Sequence, residues 1–131
     1  MMRDMTLIRD LLLKLEALPV RDGGIAVLDG NAAELAVDGR SAQEINYHLA
    51  LIREAGFIDS PGSQPAGIGI TFRRLSWRGH EFLDTVRNPE VWRETKSGIA
   101  KIGGASAELV WEIAKGFVKH LAKEKLGIDV A

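Results

Sequence analysis

Apolar residues recur at Leu7, Ile8, Leu11, Leu12, Leu15 and Leu18 with polar residues between them, the spacing of one buried helix face. Asp4 supplies a cap for this helix and Pro19 a stop. Asp10 and Lys14 stand one turn apart on its polar side. From 19 to 40 the periodicity gives way to three turn-forming pairs, Asp22-Gly23, Asp29-Gly30 and Asp38-Gly39. Ile25 to Leu28 reads as a short strand. Asn31 to Val37 is ambiguous: Asn31 and Glu34 could form a capping box opening a short helix, or Glu34 to Val37 could be a strand. The helix is preferred on fold grounds.

Helical spacing returns over Ser41 to Ala55. Ser41 and Glu44 form a capping box, Ile45, Leu49 and Ile52 share one face, and Gly56 followed by Phe57 fits a glycine-terminated Schellman ending. Asp59 to Gly67 is a loop rich in proline and glycine. Ile68, Ile70 and Phe72 then alternate with polar or small residues, which predicts a half-buried strand, and Leu75 breaks its register. Ser76 caps a helix through Arg87 with Gly79, Phe82, Leu83 and Val86 on one face. Asn88-Pro89 starts another, reaching Ile102. Gly103-Gly104 is a hinge, and Ser106 opens a last helix that ends at Gly127 and is roughly 30 Å long. From Ser41 the order helix, tight stop, strand, loop, strand predicts an α+β, winged-helix-like domain. It has a small antiparallel β-sheet (the wing) and a C-terminal helical extension, divided as 1–87 and 88–131. Ile45, Leu49, Ile52 and Phe57 are expected to centre the core with Leu11, Leu15 and Phe82.

Composition narrows the chemistry. The 131 residues carry 17 basic and 18 acidic side chains, a net charge of -1, so no whole-protein field draws the chain to nucleic acid. The absence of cysteine excludes disulfides, thiolate catalysis and cysteine zinc sites. The first ten residues lack the apolar run of a signal peptide, and no stretch approaches the roughly 20 apolar residues of a membrane span. A soluble, cytoplasmic protein is expected, with no membrane association. No glycine-rich phosphate loop follows a strand. His80 and Asp84 stand one helical turn apart but lack a third ligand, and Tyr47-His48 has no nucleophile beside it. No catalytic residue, metal or cofactor is expected.

Two surfaces remain as candidates. The first would meet duplex DNA: Gln43, Asn46 and Tyr47 lie early on the Ser41 helix, where a recognition helix touches bases. Arg40, Arg73 and Arg74 would meet phosphates. Glu44 opposes this, and between Arg40 and Arg78 five basic residues outnumber the acidic ones by only two. The alternative is a protein–protein adaptor that keeps the fold without the DNA surface. The second surface is on the last helix. Leu109, Val110, Ile113, Phe117 and Leu121 form one broad face there, while Trp111 and Val118 point to another across Gly116. These last three suggest a homodimer or a protein partner.

Particular motifs point to a family. Met2 to Arg9 resembles the M-K-R-D-M-D-L-I-R opening of an uncharacterised bacterial and phage family of unknown function. Tyr47-His48-Leu49 and Glu54 to Ile58 are similar to its Y-H-L and E-A-G-L-I. Leu75 to Asp84 resembles its L-T-W-x-G-H-E-F-L-D, and Trp92 with Thr95-Lys96 also fits. The resemblance covers roughly Met1 to Lys101. His48, Leu49, Leu51, Gly56 and Ile58 are also spaced as in the recognition helices of bacterial winged-helix regulators. The chain departs from those regulators before Ser41, where the first helix of a helix-turn-helix is short. The resemblance implies a winged-helix-like fold and a DNA-binding or transcription-regulatory role, without a substrate or cofactor.

Overall fold

The computed structural model describes residues 1–19, 23–62 and 68–129. Asp22 of the first expected turn and most of the expected wing, 63–67, lie outside the described residues. The chain divides into two compact units, Met1–Glu81 and Phe82–Ala131, and its class is α+β.

In the first unit, helix α1 (Met5–Ala17) is capped by Asp4, whose carboxylate accepts the Thr6 and Leu7 amides, and it buries Leu7, Ile8, Leu11, Leu12 and Leu15. Strand β1 (Ala26–Leu28) leads to a 3-10 turn, Ala33–Leu35, that buries Leu35. The preferred short helix is thus one turn of 3-10 type. Its expected Asn31 cap is absent: Ala32 stands at the cap without a side-chain bond, and the Asn31 amide donates to Asp29 instead (2.8 Å). Helix α2 (Ala42–Glu54) has the full Ser41–Glu44 capping box and buries Ile45, His48, Leu49 and Ile52. Gly56 takes φ +76, and the Gly56 and Phe57 amides donate to Arg53 and Ile52, completing the Schellman ending.

Strand β2 (Ile58–Asp59) pairs antiparallel with β4 (Arg74–Leu75), and β1 pairs antiparallel with β3 (Ile70–Phe72). Only Arg73 separates β3 from β4, and its amide donates to the Asp59 carbonyl (3.0 Å). The stretch 70–75 is therefore a single bent path, with β1 along its first half and β2 along its second. Leu75 breaks the register as expected. Ile68 is not on the buried face: the chain turns at Gly69 (φ +86), leaving Ile68 64% exposed.

A tight joint closes the unit. The Ser76 amide donates to Phe57 O (2.9 Å), its hydroxyl to Gly56 O (2.5 Å), and Arg78 Nε to Ala55 O (3.1 Å). These bonds satisfy carbonyls at the end of α2 while starting helix α3 (Trp77–Val86). Gly79 lies directly on the Phe57 carbonyl.

In the second unit, Phe82, Leu83 and Val86 of α3 are buried. Helix α4 (Pro89–Ile102) starts at Asn88, which caps Glu90 and Val91, and ends at left-handed Gly103. Helix α5 (Ala107–Leu126) starts at Ser106 and runs back along α4. A Cβ at Gly98 of α4 would stand 3.8 Å from Ile113 and 4.0 Å from Phe117 of α5. Trp111 packs edge-on against Phe82 (5.3 Å between centroids) and its indole N–H donates to Thr85 (3.3 Å).

Candidate nucleic-acid interface

The residues expected to read DNA begin at the N-terminus of α2, where the capping box fixes the first turn. Gln43 is exposed there, and Tyr47 is half out, its ring edge-on to His48 at 5.5 Å. Asn46 is committed within the unit: its Oδ1 accepts the Gly30 amide at 2.7 Å, which holds the Asp29 turn against α2.

Arg40 is also committed. Its guanidinium donates to Asp4 (2.5 Å) and to Glu44 (3.3 Å). Asp4 is already the cap of α1, and Glu44 already half of the α2 box, so Arg40 ties the two helix starts together. His48 completes the tie from below. Its Nε2 accepts the Asp4 amide (2.9 Å), and its Nδ1 lies 2.8 Å from the Glu44 carbonyl, which fixes the Nδ1–H tautomer. His48 is buried and satisfied on both nitrogens, so it is a structural pin rather than an acid or base facing a cleft.

The charges tune one another accordingly. Burial raises the Asp4 carboxyl, but the hydrogen bonds from Arg40 and the Leu7 and Thr6 amides outweigh it, and the group titrates below its ordinary range. Glu44 is also lowered, by the Ser41 amide first and Arg40 second. The Arg40 guanidinium is raised by Asp4 and then Glu44. A carboxylate depressed in the folded state contributes stability above its unfolded value of about 4, and that contribution is lost as pH falls through the lower folded value. Urea unfolding at pH 7, 5 and 3 should therefore show wild-type stability falling in the acid. Asp4→Asn, which keeps a capping oxygen but no charge, should start lower at pH 7 and fall less. An acid limb as steep as wild type would contradict the Asp4–Arg40 assignment.

At the sheet, Arg73 Nη1 donates to Asp59 (3.1 Å) and Arg74 lies 3.7 Å from the same carboxylate. The structure thus brings the two arginines together around an acidic residue, with the Arg74 side chain exposed. Arg53 reaches the Gly69 carbonyl (3.4 Å), and Arg78 lies over the Phe57 ring (5.6 Å). The first unit carries nine basic and eleven acidic residues, a net -2. His80 pairs with Glu16 (3.8 Å) and Asp84 with Arg87 (2.9 Å).

Trp77 was missed as a functional candidate. It is 81% exposed, while the neighbours in its motif are all engaged: Ser76 and Arg78 bind the end of α2, Gly79 abuts Phe57, and Phe82 and Leu83 are buried. The signal was available. The helical period that buries Gly79, Phe82, Leu83 and Val86 turns Trp77 to the opposite side.

On α5 the structure corrects one residue of the expected interface. Trp111 is only 8% exposed, covered by Phe82 and bonded to Thr85, with Lys115 Nζ 4.7 Å over its ring. Its apolar surface is satisfied within the second unit, because the buried face of α5 is broad enough to include it. Val118 remains partly exposed. Gly116 is exposed, and a Cβ there would meet nothing within 4 Å.

Among the described residues no helix is long and apolar enough to cross a membrane, and no three His, Asp or Glu side chains stand together where they could hold a metal ion.

The family described as Hypothetical protein (DUF2513) matches residues 2–106. An uncharacterized protein of Haemophilus influenzae (strain ATCC 51907 / DSM 11121 / KW20 / Rd) is 31% identical over 123 residues, covering 92% of this chain and 98% of that protein. No solved structure matches.

Proposed function

The chain belongs to the DUF2513 family, and for this member we propose a non-enzymatic, winged-helix-like module that docks on another protein rather than on duplex DNA. The order α1, β1, 3-10 turn, α2, β2, β3 supports the winged-helix part, as does the placing of β1 and β2 along the two halves of the bent 70–75 path. In that reading α2 occupies the recognition-helix position.

One observation carries the choice of partner. Of the arginines that would have met phosphates, Arg40 is held by Asp4 and Glu44 and Arg73 by Asp59 of their own unit, while the exposed Arg74 lies 3.7 Å from Asp59. A duplex phosphate would have to displace those carboxylates and then lie beside them, and the first unit as a whole is acidic. The commitment of both His48 nitrogens supports the non-enzymatic part. Exposed Trp77 is the kind of side chain that anchors a protein interface, since tryptophan combines large area with few torsions.

Duplex DNA binding is the second reading, favoured by exposed Gln43 on α2. Fluorescence anisotropy with a labelled mixed-sequence duplex at low salt separates the two. The proposal expects no binding tighter than about 100 μM, the weak limit of ordinary nonspecific association. Tighter binding that weakens in the Arg73→Ala/Arg74→Ala variant would establish the DNA reading instead.

A further inference from the structure

We propose that the solvent face of α5 is a self-association surface on which a second copy of this chain lies antiparallel, with the two-fold axis at the Lys115–Gly116 step. The argument uses the second unit alone and does not depend on the protein-docking reading of the first.

Leu109, Glu112, Gly116, Lys119, Lys123 and Leu126 follow one another at alternating steps of three and four residues, the repeat of a seam between two helices. All six are exposed. The opposite arc of the helix is the one that buries Val110, Trp111 and Ala114. Val118 lies on that arc, so the seam is a different face from the one Trp111 and Val118 suggest.

The charges on the seam are segregated. Glu108 and Glu112 lie before its midpoint, Lys119 and Lys123 after it. Glu112 is three residues before Lys115 as Lys119 is three after Gly116, and Glu108 is seven before as Lys123 is seven after. A second copy running antiparallel therefore sets each glutamate against a lysine, whereas a parallel copy would set like against like. The helix dipole favours acid at the start and base at the end only within the terminal turns, so it does not account for Glu112 and Lys119, which are mid-helix. Lys115 bonds Glu112 (3.1 Å) and Lys123 bonds Asp129 (3.2 Å) within the chain. Both pairs are exposed and can exchange for contacts with a second copy at little cost.

Gly116 supplies an independent observation. Among the described residues beyond its own helix turn and chain neighbours, nothing stands within 4 Å of where its Cβ would lie, and a mid-helix glycine is disfavoured against alanine. At the axis of an antiparallel pair, the missing side chain lets the two backbones approach.

Sedimentation equilibrium of the full chain tests this. Wild type should be in monomer–dimer equilibrium by about 100 μM. Glu108→Lys/Glu112→Lys, which makes the seam all basic, and Lys119→Glu/Lys123→Glu, which makes it all acidic, should each self-associate at least about tenfold more weakly. An equimolar mixture of the two should recover association, which also shows that both variants are folded. Gly116→Leu should weaken association without lowering the melting temperature. A wild type that stays monomeric at about 200 μM, charge variants that associate as wild type does, or a mixture that does not recover would each overturn the proposal.

Discussion

Gly79→Ala is expected to destabilise the protein by roughly 3 kcal/mol or more, although alanine in a helix interior ordinarily gains about 1 kcal/mol over glycine. The reason is the joint between α2 and α3. A Cβ at position 79 would overlap the Phe57 carbonyl oxygen and stand 2.9 Å from its carbonyl carbon, and both are backbone atoms that no rotamer change can move aside. Relief requires the start of α3 to withdraw from the end of α2. Withdrawal breaks the bonds from Ser76 to Gly56 and Phe57 and from Arg78 to Ala55, leaving helix-terminal carbonyls unmet. Urea unfolding decides the matter. Stability equal to or above wild type would mean that propensity wins and that the joint is looser than described.

Leu49→Ala is the second large effect, with an expected loss of about 2–5 kcal/mol. Leu49 is completely buried, on the α2 face that also buries Ile45 and Ile52. Removing three carbons there leaves a void that the paired helix starts cannot collapse into, because Arg40, Asp4 and His48 fix α1 against α2. Gln43→Ala, on the same helix and exposed, should stay within about 0.5 kcal/mol of wild type and serves as the control. A Leu49→Ala loss below about 0.5 kcal/mol would show that α2 faces the other way.

Features decided within one turn of chain were legible in the sequence. The caps at Asp4, Ser41, Asn88 and Ser106 and the stop at Gly56 all lie where local spacing puts them, because capping bonds reach only two to four residues. The α+β class and the core faces of α1 and α2 follow from the same periodicity. What escaped were contacts between residues distant in the chain. Arg40 meets Asp4 across 36 positions and His48 meets the Asp4 amide across 44, so an arginine that looks available for phosphate is spent on a helix cap. Arg73 and Asp59 become neighbours only once β2 and β4 pair. Asn46, read as an adenine reader, serves a backbone amide at Gly30. Trp111 was placed on a second face because a wheel of α5 cannot show how wide an arc its neighbours cover. The candidate DNA surface was thus legible as a set of residue types, while its charge state depended on pairings that only the fold makes.

The most direct test of the central claim, that the α2 face is spent on holding the first unit together rather than on reading DNA, is residue-resolved. Amide resonances of the full-length, 15N-labelled protein can be followed during titration with a mixed-sequence duplex at low salt. The amides of Gln43, Asn46, Tyr47, Arg73 and Arg74 should show no saturable shift corresponding to a dissociation constant below about 100 μM. Saturable, salt-sensitive shifts clustered on those residues and tighter than that would contradict the claim.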